Sequence, residues 1–167
     1  MPELPDILLY ISALERFIKG RILQRIELRS PFLLRSVDPP LSEAEGKAVT
    51  GFSRLGKRIA WHLEDDLHLV FHLMVAGRYH WRKPDASAGR KADLAALRFE
   101  HGTVMLTEAG SKKRASLHAV RGTETLSDHN RRGLEVMDCS ADEFREALRL
   151  ENHTLKRALT DPRLFSG

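Results

Sequence analysis

Apolar residues recur at Ile7, Ile11, Leu14 and Ile18, and Gly20 follows as a stop. That is the spacing of one helix face, so the pattern predicts a helix over residues 6–19. Pro5 stands at or just before its first turn, where a missing N–H costs nothing. The residues ahead of Pro5 therefore lie at the positive end of the helix dipole. Beyond the helix the period shortens toward two. Residues 25–29 alternate polar and apolar, and runs at 58–63 and 67–73 flank the turn residues Glu64, Asp65 and Asp66. A second pair of runs, 97–99 and 103–106, flanks Glu100, His101 and Gly102. Both pairs predict hairpins. Residues 83–89 are a loop by composition. The expected fold is α+β, mainly β: a two-layer β-sandwich carrying one N-terminal helix.

After Gly133 the pattern turns helical. Ser140 and Glu143 have the spacing of a capping box opening a helix to about Leu150. Asn152 or Thr154 can cap a further helix that carries Leu155 and Leu159. Residues 1–133 are thus expected to form the sandwich, and 134–167 the first helices of a second domain. There is no internal repeat and no low-complexity tract.

Composition narrows the class. A chain of 167 residues, 42% of them hydrophobic, can build one domain, or one domain and the start of another. No apolar run approaches the ~20 residues that span a bilayer. The first apolar stretch is broken by Ser12, Glu15 and Arg16, so it does not read as a signal peptide. The single cysteine, Cys139, supports neither an internal disulfide nor a zinc site of its own. A soluble cytosolic protein is expected. Lys and Arg number 27 against 23 Asp and Glu, a net +4 compatible with a nucleic-acid partner. The clustering says more: Arg54 with Lys57 and Arg58, Arg78 with Arg82 and Lys83, Arg90 with Lys91, and Lys112 to Arg114. Each cluster lies near a predicted turn or strand end, within reach of a phosphate backbone; solvated surface charge is the alternative for each.

The N-terminus carries the candidate chemistry. Met1 before Pro2 is a context in which the initiator methionine is removed, exposing a secondary amine. An α-amino group titrates near ~8, against ~10.4 for a lysine side chain, so much more of it is neutral at pH 7. The positive helix end lowers its proton affinity further. Such an amine attacking a sugar C1′ gives an iminium, an electron sink that makes β-elimination of the 3′ phosphate feasible. Glu3 is placed to give or take a proton at the opening sugar ring. A Met-Pro start alone is common. The string Met1-Pro2-Glu3-Leu4-Pro5-Asp6, opening an amphipathic helix, is far more specific.

That string resembles the Met-Pro-Glu-Leu-Pro-Glu opening of the formamidopyrimidine-DNA glycosylase/endonuclease VIII family, with Asp6 at the last Glu. Gly56-Lys57-Arg58 resembles the family's hairpin-loop lysine, which approaches the phosphate beside the lesion. His72-Leu73-Met74-Val75-Ala76-Gly77-Arg78 is similar to its His-Leu-Gly-Met-Ser-Gly loop. Gly133 to Val136 with Phe144 resembles the connection into the second domain, and Thr154 to Gly167 the helix running into a helix-two-turn-helix.

The resemblance implies a bifunctional DNA glycosylase and abasic-site lyase of base excision repair, with Pro2, Glu3 and Lys57 catalytic. Such enzymes flip the damaged nucleotide out and fill the gap with a wedge. Val75 stands at the usual wedge Met and Met74 at the preceding Gly. Either can serve, with core packing the competing role, the stronger one for Val75. The second wedge loop, residues 108–115, lacks the family's aromatic residue, leaving Lys113 or Arg114 to reach the orphaned base. A Lys-His pair that meets phosphate in some members reads Lys91-Ala92. These departures remove the basis for expecting the family's preference for oxidised guanine opposite cytosine. Arg78 is a further DNA contact, and Lys156 either holds a phosphate or occupies an exposed helix face.

The family's Asn-bearing helix-two-turn-helix and four-Cys zinc finger have no counterpart in these residues. A chain truncated inside the helical domain is therefore expected, with no cofactor of its own and weak activity on duplex DNA. The expected partner is damaged double-stranded DNA, bound by a monomer with no membrane role, in a bacterial cytoplasm at the nucleoid. The alternatives are a noncatalytic damaged-DNA-binding module, with Pro2 only a helix-start residue, and a β-sandwich protein-interaction domain.

Overall fold

The computed structural model describes residues 2–130 and 133–166. The expectations placed on Met1 and Gly167 lie outside the described residues. Helix α1 spans Leu4–Ile18, so it starts two residues before the predicted Asp6. The cause is a capping box closed by two acids. The Glu3 side chain accepts the Asp6 backbone N–H, and Asp6 Oδ2 accepts the Glu3 N–H at 2.9 Å. Ile7, Leu14 and Ile18 are buried, and Gly20 leaves the helix at a φ of +74°.

Two four-stranded antiparallel sheets follow. Strands β1 (Arg25–Leu28), β5 (Gly77–Arg82), β6 (Asp93–Phe99) and β7 (Gly102–Glu108) form one, in the order β1-β6-β7-β5. Strands β2 (Val49–Leu55), β3 (Arg58–Leu63), β4 (Leu67–His72) and β8 (Ser116–Arg121) form the other, in the order β2-β3-β4-β8. Both predicted hairpins are present, the second longer than its apolar run. Strands β2, β5 and β8 went unpredicted because charged or polar residues fill their outward positions, as in Arg78, His80 and Arg82. The inner faces close on Trp61, whose ring packs against Phe71 at 5.0 Å, Phe52 at 5.8 Å, Tyr79 at 6.0 Å and Phe99 at 6.4 Å. Aromatic pairs at this spacing add to the burial term itself.

The outer face of the second sheet is rich in histidine. His62 Nε2 lies 2.9 Å from Ser53 Oγ, His62 Nδ1 lies 3.0 Å from His68 Nδ1, and His68 Nε2 lies 3.0 Å from Asp66 Oδ1. With Asp66 ionised and both rings neutral, one tautomer set satisfies all three contacts. His68 donates to Asp66, His62 donates to His68, and Ser53 donates to His62. Beside them, helix α2 (Thr123–Ser127) lays Leu126 on Ala60, Val70 and Val120.

The remaining elements form a small cluster of their own. Helix α3 (Ala141–Arg149) opens on the predicted box, with Glu143 Oε2 accepting the Ser140 N–H at 2.7 Å. Helix α4 (Leu155–Thr160) takes Thr154, not Asn152, as its N-cap. Strands β9 (Leu134–Glu135) and β10 (Phe165–Ser166), unpredicted at two residues each, pair in parallel. Gly133 is forced by close approach, since a Cβ there would stand 2.7 Å from the Pro162 carbonyl oxygen. Ala147, Ala158, Leu164 and Phe165 fill the centre.

His118 lies against His129 on the outer face, ring centroids 4.7 Å apart. Burial, with His129, Arg58 and Arg35 adding repulsion, lowers its pKa to about 4. The unfolded chain therefore binds the proton first, and His118 stabilisation present above pH ~6.5 is lost as pH falls toward 4. Burial lowers His62 and His129 in the same direction. Urea unfolding at pH 7 and pH 4.5 is expected to show a marked loss of stability on acidification. His118→Gln should lose less between the two pH values than the parent chain.

Candidate active site

The register collects particular turns at one end of the sandwich. Arg58 pairs with His72 and His72 with Ser116, while Gly77 pairs with Glu108. The β2–β3 turn at Gly56 and Lys57, the 74–76 turn and the 109–115 loop therefore share that end. Lys91 joins them, because the neighbouring Ala92 carbonyl accepts the Glu108 N–H at 2.8 Å. Leu55 pairs with Arg58, so Lys57 occupies the tip of a two-residue turn in which Gly56 takes a φ of +61°.

Helix α1 brings its foot to this tip. Lys57 Nζ lies 2.6 Å from Glu3 Oε2. Pro2, next in chain, is buried at the same helix end. Two sequence-predicted residues more than fifty positions apart, a carboxylate and an ammonium, thus meet at the positive end of a helix, and the third, Pro2, is the chain neighbour of one of them.

The two wedge candidates separate. Met74 is half-buried and left-handed at a φ of +55°, a conformation that favours glycine. Val75 is 55% exposed at the tip of the turn, which corrects the expectation of core packing for it. Its backbone is held from behind, where Gly77 N–H donates to the Leu73 carbonyl at 2.9 Å. Arg78 is exposed, with its guanidinium turned back to the Gly77 carbonyl at 2.6 Å.

The 109–115 loop is shaped by a residue that sequence reading missed. Glu108, 2% exposed, accepts the backbone N–H of Arg114 at 2.8 Å and of Ala115 at 3.1 Å. Its signal was a carboxylate ending the apolar run of β7. Lys113 Nζ donates to the Glu108 carbonyl and so is tied into the loop, whereas Arg114 is exposed. Lys91 and Lys156 are exposed as well, but Lys156 sits on α4 and joins none of these contacts among the described residues.

The Lys57 hairpin is braced from two sides. Arg54 ion-pairs with Glu135 of β9 and donates to the Gly56 carbonyl at 3.2 Å. Burial pushes the Glu135 carboxyl up, but the hydrogen bond and charge of Arg54 outweigh it and hold it below its ordinary range. Arg58 donates to the His129 carbonyl at 2.7 Å. No sequence period links Arg54 to a residue 81 positions away. Glu135→Gln is expected to cost about 1 kcal/mol, the worth of a partly exposed ion pair. Hydrogen exchange should quicken at the amides of residues 54–58; unchanged exchange there would remove the bracing role.

The zinc that the resemblance places in a four-Cys finger does not fit these residues. Cys139, the one cysteine of the sequence, is engaged with the Val136 carbonyl at 3.4 Å. Among the described residues Glu151, His153 and Asp161 come close enough to share a cation. Arg163 already bridges the two carboxylates, at 3.3 Å from Glu151 and 2.7 Å from Asp161.

Residues 1–126 match the family model of the formamidopyrimidine-DNA glycosylase N-terminal domain. The chain is 28% identical to the formamidopyrimidine-DNA glycosylase of Lactococcus lactis subsp. cremoris, covering 100% of this chain and 62% of that protein. It is 23% identical to that of Mycoplasma genitalium, covering 100% and 60%. The chain thus spans about three-fifths of the length of these relatives. Among solved structures, the Lactococcus lactis enzyme bound non-covalently to DNA containing an abasic site superposes with a TM-score of 0.86 at 26% identity, covering 99% of this chain and 65% of that one. The same enzyme bound to DNA containing FAPY-dG superposes with a TM-score of 0.86, covering 99% and 63%. No helix among the described residues is long and apolar enough to cross a membrane. By its fold and by the match over residues 1–126, the chain belongs to the formamidopyrimidine-DNA glycosylase N-terminal-domain family.

Proposed function

We propose that this chain carries the catalytic half of a bifunctional DNA glycosylase and abasic-site lyase. The observation that carries the reading is the 2.6 Å contact between Lys57 and Glu3 at the foot of α1, beside Pro2. With Met1 removed, the Pro2 nitrogen is a secondary amine. The helix end and the Lys57 charge both disfavour adding a proton to it, which keeps the lone pair available. The nitrogen attacks C1′ of a flipped nucleotide, the C1′–base bond breaks with its electron pair leaving on the base, and the base takes up the proton that the nitrogen gives up. Glu3 supplies the proton that the ring oxygen takes as the sugar opens. The resulting iminium acidifies C2′. Loss of that proton expels the 3′ phosphate, and water then hydrolyses the imine to regenerate Pro2. Lys57 offsets the charge of the departing phosphate. Val75, Met74, Arg78, Lys91, Lys113, Arg114 and Lys156 are assigned to the duplex, residues 134–167 to the start of a helix-two-turn-helix.

The substrate is damaged double-stranded DNA, bound by one copy of the chain. The relatives are bacterial proteins, and a bacterial cytoplasm at the nucleoid is the corresponding location.

Borohydride trapping on a duplex with an abasic site tests the chemistry. The parent chain is expected to crosslink, and Pro2→Gly to lose at least ~100-fold of the trapped product. Glu3→Gln should keep trapping on a preformed abasic site while losing ~100-fold in excision of a damaged base. Wild-type trapping by Pro2→Gly would overturn the assignment. Burial of Pro2 also favours a second reading, a noncatalytic module in which Pro2 only starts the helix. N-terminal mass spectrometry separates the two, because a retained Met1 blocks the amine.

A further inference from the structure

One large aromatic residue faces solvent at the end of the sandwich that holds Lys57. Phe32 lies in a short 3-10 turn, Pro31–Leu33, and is 73% exposed, while its neighbour Leu33 is buried in the core. Leu33 therefore anchors the turn, and the Phe32 ring lies outside the core formed by the described residues. Backbone contacts fix where the turn sits. Ser30 N–H donates to the Leu94 carbonyl at 3.2 Å, Arg35 N–H donates to the Leu117 carbonyl at 2.8 Å, and Leu34 bridges in parallel to Leu117. Leu117 follows Ser116, the last member of the row Arg58, His72, Ser116 that defines this end. The turn thus extends the row by one position past β8. At a strand spacing of ~4.8 Å, three steps put it ~14 Å across the sheet from the Lys57 hairpin.

The surroundings are basic. Phe32, Lys113 and Ala115 line one crevice, with Ser30, Leu33 and Leu94 as its floor. Arg35, Lys112 and Arg114 are exposed nearby in sequence and register. Cations around a free aromatic face divide the work of holding nucleic acid, because the cations take phosphates and the ring takes a base. We infer that Phe32 is a base-stacking residue for the damaged duplex, inserted beside the gap that a flipped nucleotide leaves. The ring stacks on a base next to that gap while the 109–115 loop holds the adjoining backbone. This inference rests on the proposed DNA function but needs none of the Pro2 chemistry.

The test is binding to a duplex containing a tetrahydrofuran abasic-site analogue, with an undamaged duplex as reference and 2-aminopurine opposite the analogue as reporter. Phe32→Ala is expected to weaken binding to the analogue duplex ~10-fold and to reduce quenching of the reporter. Phe32→Trp should retain both. Val37→Ala, which alters an apolar side chain that is 92% exposed further along the same segment, should change neither. Thermal unfolding of Phe32→Ala should match the parent, since the ring is not part of the core. Equal binding and equal quenching by the parent and Phe32→Ala, at whatever affinity, overturn the inference. Borohydride trapping keeps the two readings apart: Pro2→Gly loses the crosslink but retains tetrahydrofuran binding, and Phe32→Ala still crosslinks at saturating protein.

Discussion

The Glu3 carboxylate performs two bonding tasks on which the geometry of the reactive end depends. It closes the first turn of α1 by accepting the Asp6 N–H, and it meets Lys57 across the gap to the β2–β3 hairpin. The first contact fixes where the helix begins. The second fixes which part of the sandwich the helix foot faces. Because α1 buries Ile7, Leu14 and Ile18 on the core, the helix cannot rotate to present another face without exposing those side chains. Pro2 inherits its position from both constraints.

The core around Trp61 then sets everything that Glu3 does not. Strand register is fixed when one face of a sheet is buried, since a slip of one residue would turn Trp61, Phe71 and Leu69 outward. With the register fixed, Arg58, His72 and Ser116 form a row, and the turns beyond them share one end. Loop chemistry is gathered by core packing elsewhere in the molecule. The Arg54–Glu135 pair extends the same logic to the 134–166 segment, whose β9 and β10 lie beside Gly56.

What could be read from the sequence follows from the range of the interactions involved. Helix α1, both hairpins and the Ser140 box were legible because each depends on neighbours a few residues apart. Strands β2, β5 and β8 were not, because polar residues at their outward positions hide the inward alternation until the partner strand is known. Pro2, Glu3 and Lys57 were singled out from the sequence through the resemblance of two short motifs, and only the fold shows that Glu3 and Lys57 meet. Val75 was misjudged because an apolar residue after a strand reads as core, whereas here the chain turns away from the core at Met74. Arg54 with Glu135, and Phe32, left no local signal, since each depends on partners brought together by the register; Glu108 left only a carboxylate at the end of an apolar run.

Under the proposed function, the contact between Lys57 and Glu3 has to open before Lys57 can meet a phosphate. A half-exposed pair of this kind is worth only ~0–1 kcal/mol, so separating it is cheap. A phosphate carries at least as much charge as a carboxylate and accepts a charge-assisted bond from the same ammonium. Under the proposed function, an arriving DNA backbone therefore competes for Lys57 on favourable terms, and the exchange needs only the lysine side chain to move.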